Sequence, residues 1–171
     1  MITIYVFGGL LLLFLLLTLL APAQFTLLRT GEVSCSPQQL LKFVSNLDNY
    51  SAWNPWLMRD ESVQINITGS VAQAGHQLAW KGKKTGAGKI ELLSVNENAI
   101  EWLIQYERPW KTTGSDQWTI KPTAADKCEI TWKHQGRLPW PFARIMGGLI
   151  RRNLAYQFET ALRNVQEKFA R

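Results

Sequence analysis

The chain has 171 residues, 46% of them hydrophobic and 11% aromatic, and a formal net charge of +6. This length fits one domain of ordinary size plus whatever lies outside it. With no zinc-ligand spacing or helix-turn-helix signal, no nucleic-acid partner is expected, and two cysteines make neither a disulfide framework nor a metal site.

Residues 2–21, ITIYVFGGLLLLFLLLTLLA, carry no charge. At 1.5 Å per residue such a helix spans about 30 Å, the thickness of a bilayer's hydrocarbon core. The spacing predicts a single transmembrane anchor over 1–23 and a folded domain over 24–171. A cleaved signal peptide is the alternative, because Ala21-Pro22-Ala23 resembles a small-x-small cleavage site. Against it, no basic residue precedes the apolar run, which exceeds a signal core of about 7–15 residues. Arg29 and Lys42 follow the helix, so the positive-inside rule leans towards a single-pass protein with its domain on the cytoplasmic side. The basic domain would then favour an anionic lipid surface, although plain solubility accounts equally for the charge.

Residues 25–35 read as a strand. Ser36 and Pro37 then provide an N-cap and first helical position for a short helix carrying Leu40, Leu41, Phe43, Val44 and Leu47. A second short turn leads into SAWNPW (51–56), where a proline separates two tryptophans. Six alternating segments follow at 63–67, 76–81, 89–95, 100–107, 115–121 and 127–134, divided by glycine, proline and asparagine. After Pro139-Trp140-Pro141 the period becomes helical: Phe142, Ile145, Met146, Leu149, Leu154, Phe158, Leu162, Val165 and Phe169 read as one stripe. Consecutive strands joined by tight turns imply an antiparallel sheet whose inner face the long helix covers.

Strand parity aims Trp80, Trp102, Trp118 and Trp132 at that inner face, with Tyr106 and His134 sharing the inward parity of their strands. Such a concentration of rings can fill a core, or it can line a cleft open to an apolar ligand. Both readings stand on the sequence alone.

The run SCSPQQLLKFVSNLDNYSAWNPW, the strands after it and the closing FETALRNVQEKF resemble the SRPBCC (START/Bet v 1-like) superfamily, in its polyketide cyclase/dehydrase-like branch. The matching positions are Pro37, Phe43, Val44, Leu47-Asp48, Trp53, Pro55 and Trp56. The resemblance implies an α+β helix-grip fold: a seven-stranded antiparallel sheet wrapped around a long C-terminal helix, with a cavity between. It implies lipids, sterols, polyketides or other apolar ligands, and in a minority of members catalysis. It also makes the first and last strands neighbours, so that Cys35 and Cys128 could meet as buried thiols or a disulfide.

The expected function is therefore a membrane-tethered binding module for a small apolar or lipid-like molecule. Its expected ligand site is Trp56, Trp80, Trp102, Trp118, Trp132, Tyr106, His134 and the helix face at Ile145, Met146 and Leu149. The alternatives are a cyclase/dehydrase-type enzyme using His134, Tyr106 or Glu107 for proton transfer, or a regulatory domain with a filled core. No cofactor, metal or catalytic signature is read: GxSxG and HExxH are absent, and GKKTGAGK (82–89) does not satisfy the phosphate-loop pattern. Trp53 is expected in the core, Trp56 at the cavity entrance, and Gly147-Gly148 at a close packing point or hinge.

Overall fold

The structure is a computed structural model that describes residues 2–170. It contains α1 (Ile2–Leu20), β1 (Gln24–Val33), α2 (Pro37–Val44), a 3-10 turn at Leu47–Asn49, α3 (Tyr50–Trp53), α4 (Pro55–Met58), β2 (Gln64–Thr68), β3 (Gln77–Gly82), β4 (Gly86–Val95), β5 (Ala99–Arg108), β6 (Thr112–Ala124), β7 (Lys127–Arg137), α5 (Phe142–Ile145) and α6 (Gly147–Phe169). The strands form the predicted seven-stranded antiparallel sheet in the order β1-β7-β6-β5-β4-β3-β2. Alternation sets which residues point inward, and α6 lays Phe158, Ala161, Leu162 and Val165 onto that face. This is the helix-grip architecture.

Local chemistry fixes the short elements. Ser36 caps α2 in a capping box with Gln39, and Pro37 occupies the first turn. Asn54 caps α4 by accepting from the Trp56 amide at 3.0 Å, ahead of Pro55. His76, 1% exposed, links two elements: its Nε2 accepts from the Leu47 amide at 3.1 Å, which leaves Nδ1–H to donate to the Thr68 carbonyl. One of the two histidines thus has a structural role.

The basic hairpin between β3 and β4 is held by a carboxylate. Asp60 Oδ2 accepts from the Lys84 and Thr85 amides at 2.7 and 2.9 Å and from the Thr85 hydroxyl; Oδ1 accepts from Ser62. These donors, the Ser62 hydroxyl foremost, hold the Asp60 carboxyl well below the usual carboxylate range. A depressed folded-state pKa gives stability that is complete above the ordinary value of about 3.9 and is lost as pH falls below it. Asp60→Asn is therefore expected to lower stability at neutral pH, with the gap to the parent closing in acid. Urea unfolding at stepped pH reads this; a gap that persists unchanged in acid would contradict it.

Cys35 and Cys128 lie together inside, at the end where Val33 pairs with Cys128, and both are free thiols. Burial pushes Cys35 up to about 12, and it also raises Cys128.

The C-terminal stripe differs from its sequence reading. The helix is interrupted at Met146, and α5 and the start of α6 leave the sheet: Phe142, Ile145, Met146 and Leu149 are 58, 46, 41 and 62% exposed. A Cβ at Gly147 would sit 2.7 Å from Leu138, so this glycine permits a close approach there; Gly148 faces open space. The segment packs instead against α1. The Phe14 and Phe142 rings are 5.9 Å apart, and Trp140 Nε1 donates to the buried Thr18 hydroxyl at 3.0 Å.

Candidate functional site

The site is built on β6 and β7, whose register sets Asp116 directly opposite His134 and Trp118 opposite Trp132. Asp116 and His134 are 6% and 2% exposed, and His134 Nδ1–H donates to Asp116 Oδ1 at 2.6 Å. A carboxylate among aromatic rings persists only with such a partner. Two glycines make room for the imidazole. A Cβ at Gly114 would lie 3.0 Å from its Cε1, and one at Gly136 would lie 3.1 Å from its Nε2 and 2.5 Å from the Phe25 ring.

Facing this pair is the loop that contains WNPW. Asn54, besides capping α4, donates from Nδ2 to the Tyr50 hydroxyl at 2.8 Å. Burial raises the Tyr50 hydroxyl well above its ordinary value, and the negative charge of Asp116 adds to this, against the Asn54 hydrogen bond. Burial and then Asp116 raise Tyr106 as well. Both phenols stay protonated donors in the physiological range.

Between these groups is a cavity of about 40 Å³. Its polar lining is Tyr50, Asn54, Tyr106, Asp116, His134 and Gln157; its apolar lining is Trp56, Trp80, Ile104, Trp132, Leu154 and Phe158. Three of these walls carry buried donors without a hydrogen-bond partner among the described residues: Trp56 Nε1, Trp132 Nε1 and Gln157 Nε2. An unmet buried donor costs about 1–3 kcal/mol, so the lining is suited to an oxygen acceptor.

Of the residues expected from sequence, the structure brings Trp56, Trp80, Tyr106, Trp132 and His134 together around this cavity. Trp102 and Trp118, 2% and 0% exposed, are not among its walls. They pack edge-to-face with each other at 5.6 Å, and Trp118 meets Trp53 at 5.3 Å. Trp132 is shared, touching Trp118 on one side and stacking on Phe158 at 3.8 Å on the other. Ile145, Met146 and Leu149 are on the surface, because the helix leaves the sheet before reaching them. Glu107 lies in an outer groove beside Trp140. Asp116, Tyr50, Asn54 and Gln157 were not singled out from sequence.

The arrangement matches known proteins at the level of family and fold. The family model described as "Polyketide cyclase / dehydrase and lipid transport" matches residues 24–170, and the chain belongs to this family. Norcoclaurine synthase from Thalictrum flavum, solved with dopamine and hydroxybenzaldehyde, is similar with TM-score 0.62 and 16% identity, over 90% of this chain and 93% of that one. Ara h 8.0201 is similar with TM-score 0.59 and 11% identity, over 85% and 97%. A protein of Chromobacterium violaceum gives TM-score 0.60 and 13% identity, over 86% and 97%. At these identities the structural likeness concerns the fold. No curated protein matches the sequence.

Proposed function

We propose that the protein is a membrane-tethered binding module for a small, largely apolar molecule bearing an oxygen acceptor, held between the sheet and α6. The observation that carries this reading is the lining: aromatic walls with the buried Asp116–His134 pair, two tyrosines and three residues whose side-chain donors have no partner among the described residues. The tether reading is supported by α1, whose 19 residues extend about 28 Å. A buried Thr18 joined to Trp140 further supports an α1 that stays with the domain.

A cavity of about 40 Å³ holds little more than a water molecule, so an organic ligand enters by displacing a wall. Trp56 suits this role. It is half-buried and sits on a four-residue helix held by the Asn54 cap. Trp56→Ala is expected to change stability by no more than about 1 kcal/mol while strengthening uptake of an apolar fluorescent probe such as anilinonaphthalene sulfonate. Unchanged probe binding together with a large stability loss would make Trp56 a core plug.

One observation favours a second reading. A histidine held by a buried carboxylate, beside two protonated phenols, is also the equipment of proton transfer. His134 would accept a proton from an acidic C–H or hydroxyl while Tyr50 or Tyr106 donates to the developing oxyanion. Turnover of a polyketide-like substrate that is lost in His134→Gln, with binding retained, would select this reading.

A further inference from the structure

We infer that the surface over residues 138–149 is a second membrane contact, seated in the headgroup–acyl boundary of an anionic bilayer beside α1. This rests on the reading of α1 as a retained span. The surface is strongly apolar for a position outside the core: Trp140, Phe142, Ile145, Met146 and Leu149 are 50, 58, 46, 41 and 62% exposed within one short stretch. Exposed apolar side chains gathered in one segment are a mark of an interaction site.

What covers it follows from its attachment. Trp140 is bonded to Thr18 and Phe142 lies on Phe14, so the patch runs alongside the C-terminal part of α1. Phe14 is six residues before Leu20, about 9 Å along the helix axis. If α1 spans the hydrocarbon, whatever packs beside Phe14 lies below the headgroups. Phe142 is therefore at acyl depth, and Trp140, one ring edge on a hydroxyl, is at the interface that indoles favour. Immersion to about 5–10 Å is the ordinary depth of an interfacial helix. A protein partner at this position would have to sit in the same lipid.

The charge around the patch fits phosphate-bearing lipid. Lys111, Arg137 and Arg144 line the groove beside Trp140, with Glu107 as the single acid. Arg144, Arg151 and Arg152 line the groove beside Gly147 and Gly148, where the remaining arginine, Arg29, is already paired with Glu159. Arg144 faces both grooves, and its sheltered Nε has no hydrogen-bond partner among the described residues. An apolar strip rimmed by arginines is the pattern of a surface that inserts its rings and binds anionic headgroups with its rim. The ligand site shares a wall with it, since Tyr106 lines both the Trp140 groove and the inner cavity.

The test uses the full chain in vesicles of phosphatidylcholine with and without phosphatidylglycerol. Nitroxide labels are placed one at a time at Leu16→Cys in α1, at Ile145→Cys, at Leu149→Cys and at the exposed loop position Ser70→Cys. Collision with oxygen and with a water-soluble nickel complex reads depth. The expected result is preference for oxygen at 16, 145 and 149 and for nickel at 70, with the labels at 145 and 149 shifted deeper by phosphatidylglycerol. Nickel preference at 145 and 149, with 16 still in lipid, would overturn the second contact and leave the tether standing. Exclusion of both reagents at 145 and 149 would mean that protein covers the patch, which also overturns it. Nickel preference at 16 would remove the tether itself, and the inference with it.

Discussion

Replacing Trp118 by alanine is expected to cost about 3–5 kcal/mol of stability, the loss typical of a large aromatic removed from a closed core. Trp118 is fully buried and lies at the centre of an aromatic cluster. Trp53 and Trp102 meet it edge-to-face, and Trp132 lies 4.9 Å away at 46°. Rings in such contact add about 0.5–1.5 kcal/mol per pair beyond their buried area. Because Trp118 is not a wall of the cavity, ligand affinity per folded molecule should be unchanged. Urea unfolding followed by a binding measurement below the transition separates the two effects. A mild stability loss with abolished binding would return Trp118 to the ligand site.

Asp116→Ala is the second large effect, with an expected loss of about 1–3 kcal/mol, since it leaves the buried His134 ring N–H without its acceptor. The informative comparison is the double variant Asp116→Leu with His134→Leu. Removing both polar partners in favour of apolar groups can be nearly neutral for folding, so the double variant should recover most of the loss. It should not recover binding of an oxygen-bearing ligand. A pair that is costly to break yet dispensable as a unit would be kept for what it does in the cavity rather than for the fold. A double variant as unstable as the single one would make the pair structural.

The strands were legible because alternation and turn residues are local, and one face of β3 to β7 is largely buried. The same parity rule held the clue to Asp116. In SDQWTI it lies two residues before Trp118, so it shares an inward face with Trp118 and Ile120, and a carboxylate on that face requires a partner. Asn54 was obscured differently. The flanking tryptophans dominate WNPW, while its two side-chain hydrogen bonds, to the Trp56 amide and the Tyr50 hydroxyl, depend on a turn that sequence does not specify. The C-terminal stripe misled for a physical reason: apolar residues at helical spacing look the same in sequence whether they are buried in a core or exposed. Three-dimensional packing separates the two parts: Phe158, Leu162 and Val165 are buried on the sheet, whereas the break at Met146 leaves Phe142, Ile145 and Leu149 exposed. WNPW itself divides by solvent exposure: Trp53 is 2% exposed within the core cluster, and Trp56 is a half-buried wall of the cavity.

The central claim is that the space among Trp56, Trp80, Tyr106 and His134 receives a small organic molecule. The most direct measurement is mass spectrometry of organic extracts from the full-length protein, purified beside an Ile104→Trp variant whose added ring would occupy the cavity. Detergent and bulk lipid contaminate both preparations equally. A compound that is reproducibly present with the parent and depleted with the variant is the predicted result. Identical extracts from two equally folded proteins would contradict the claim and leave the sheet and α6 enclosing a filled core.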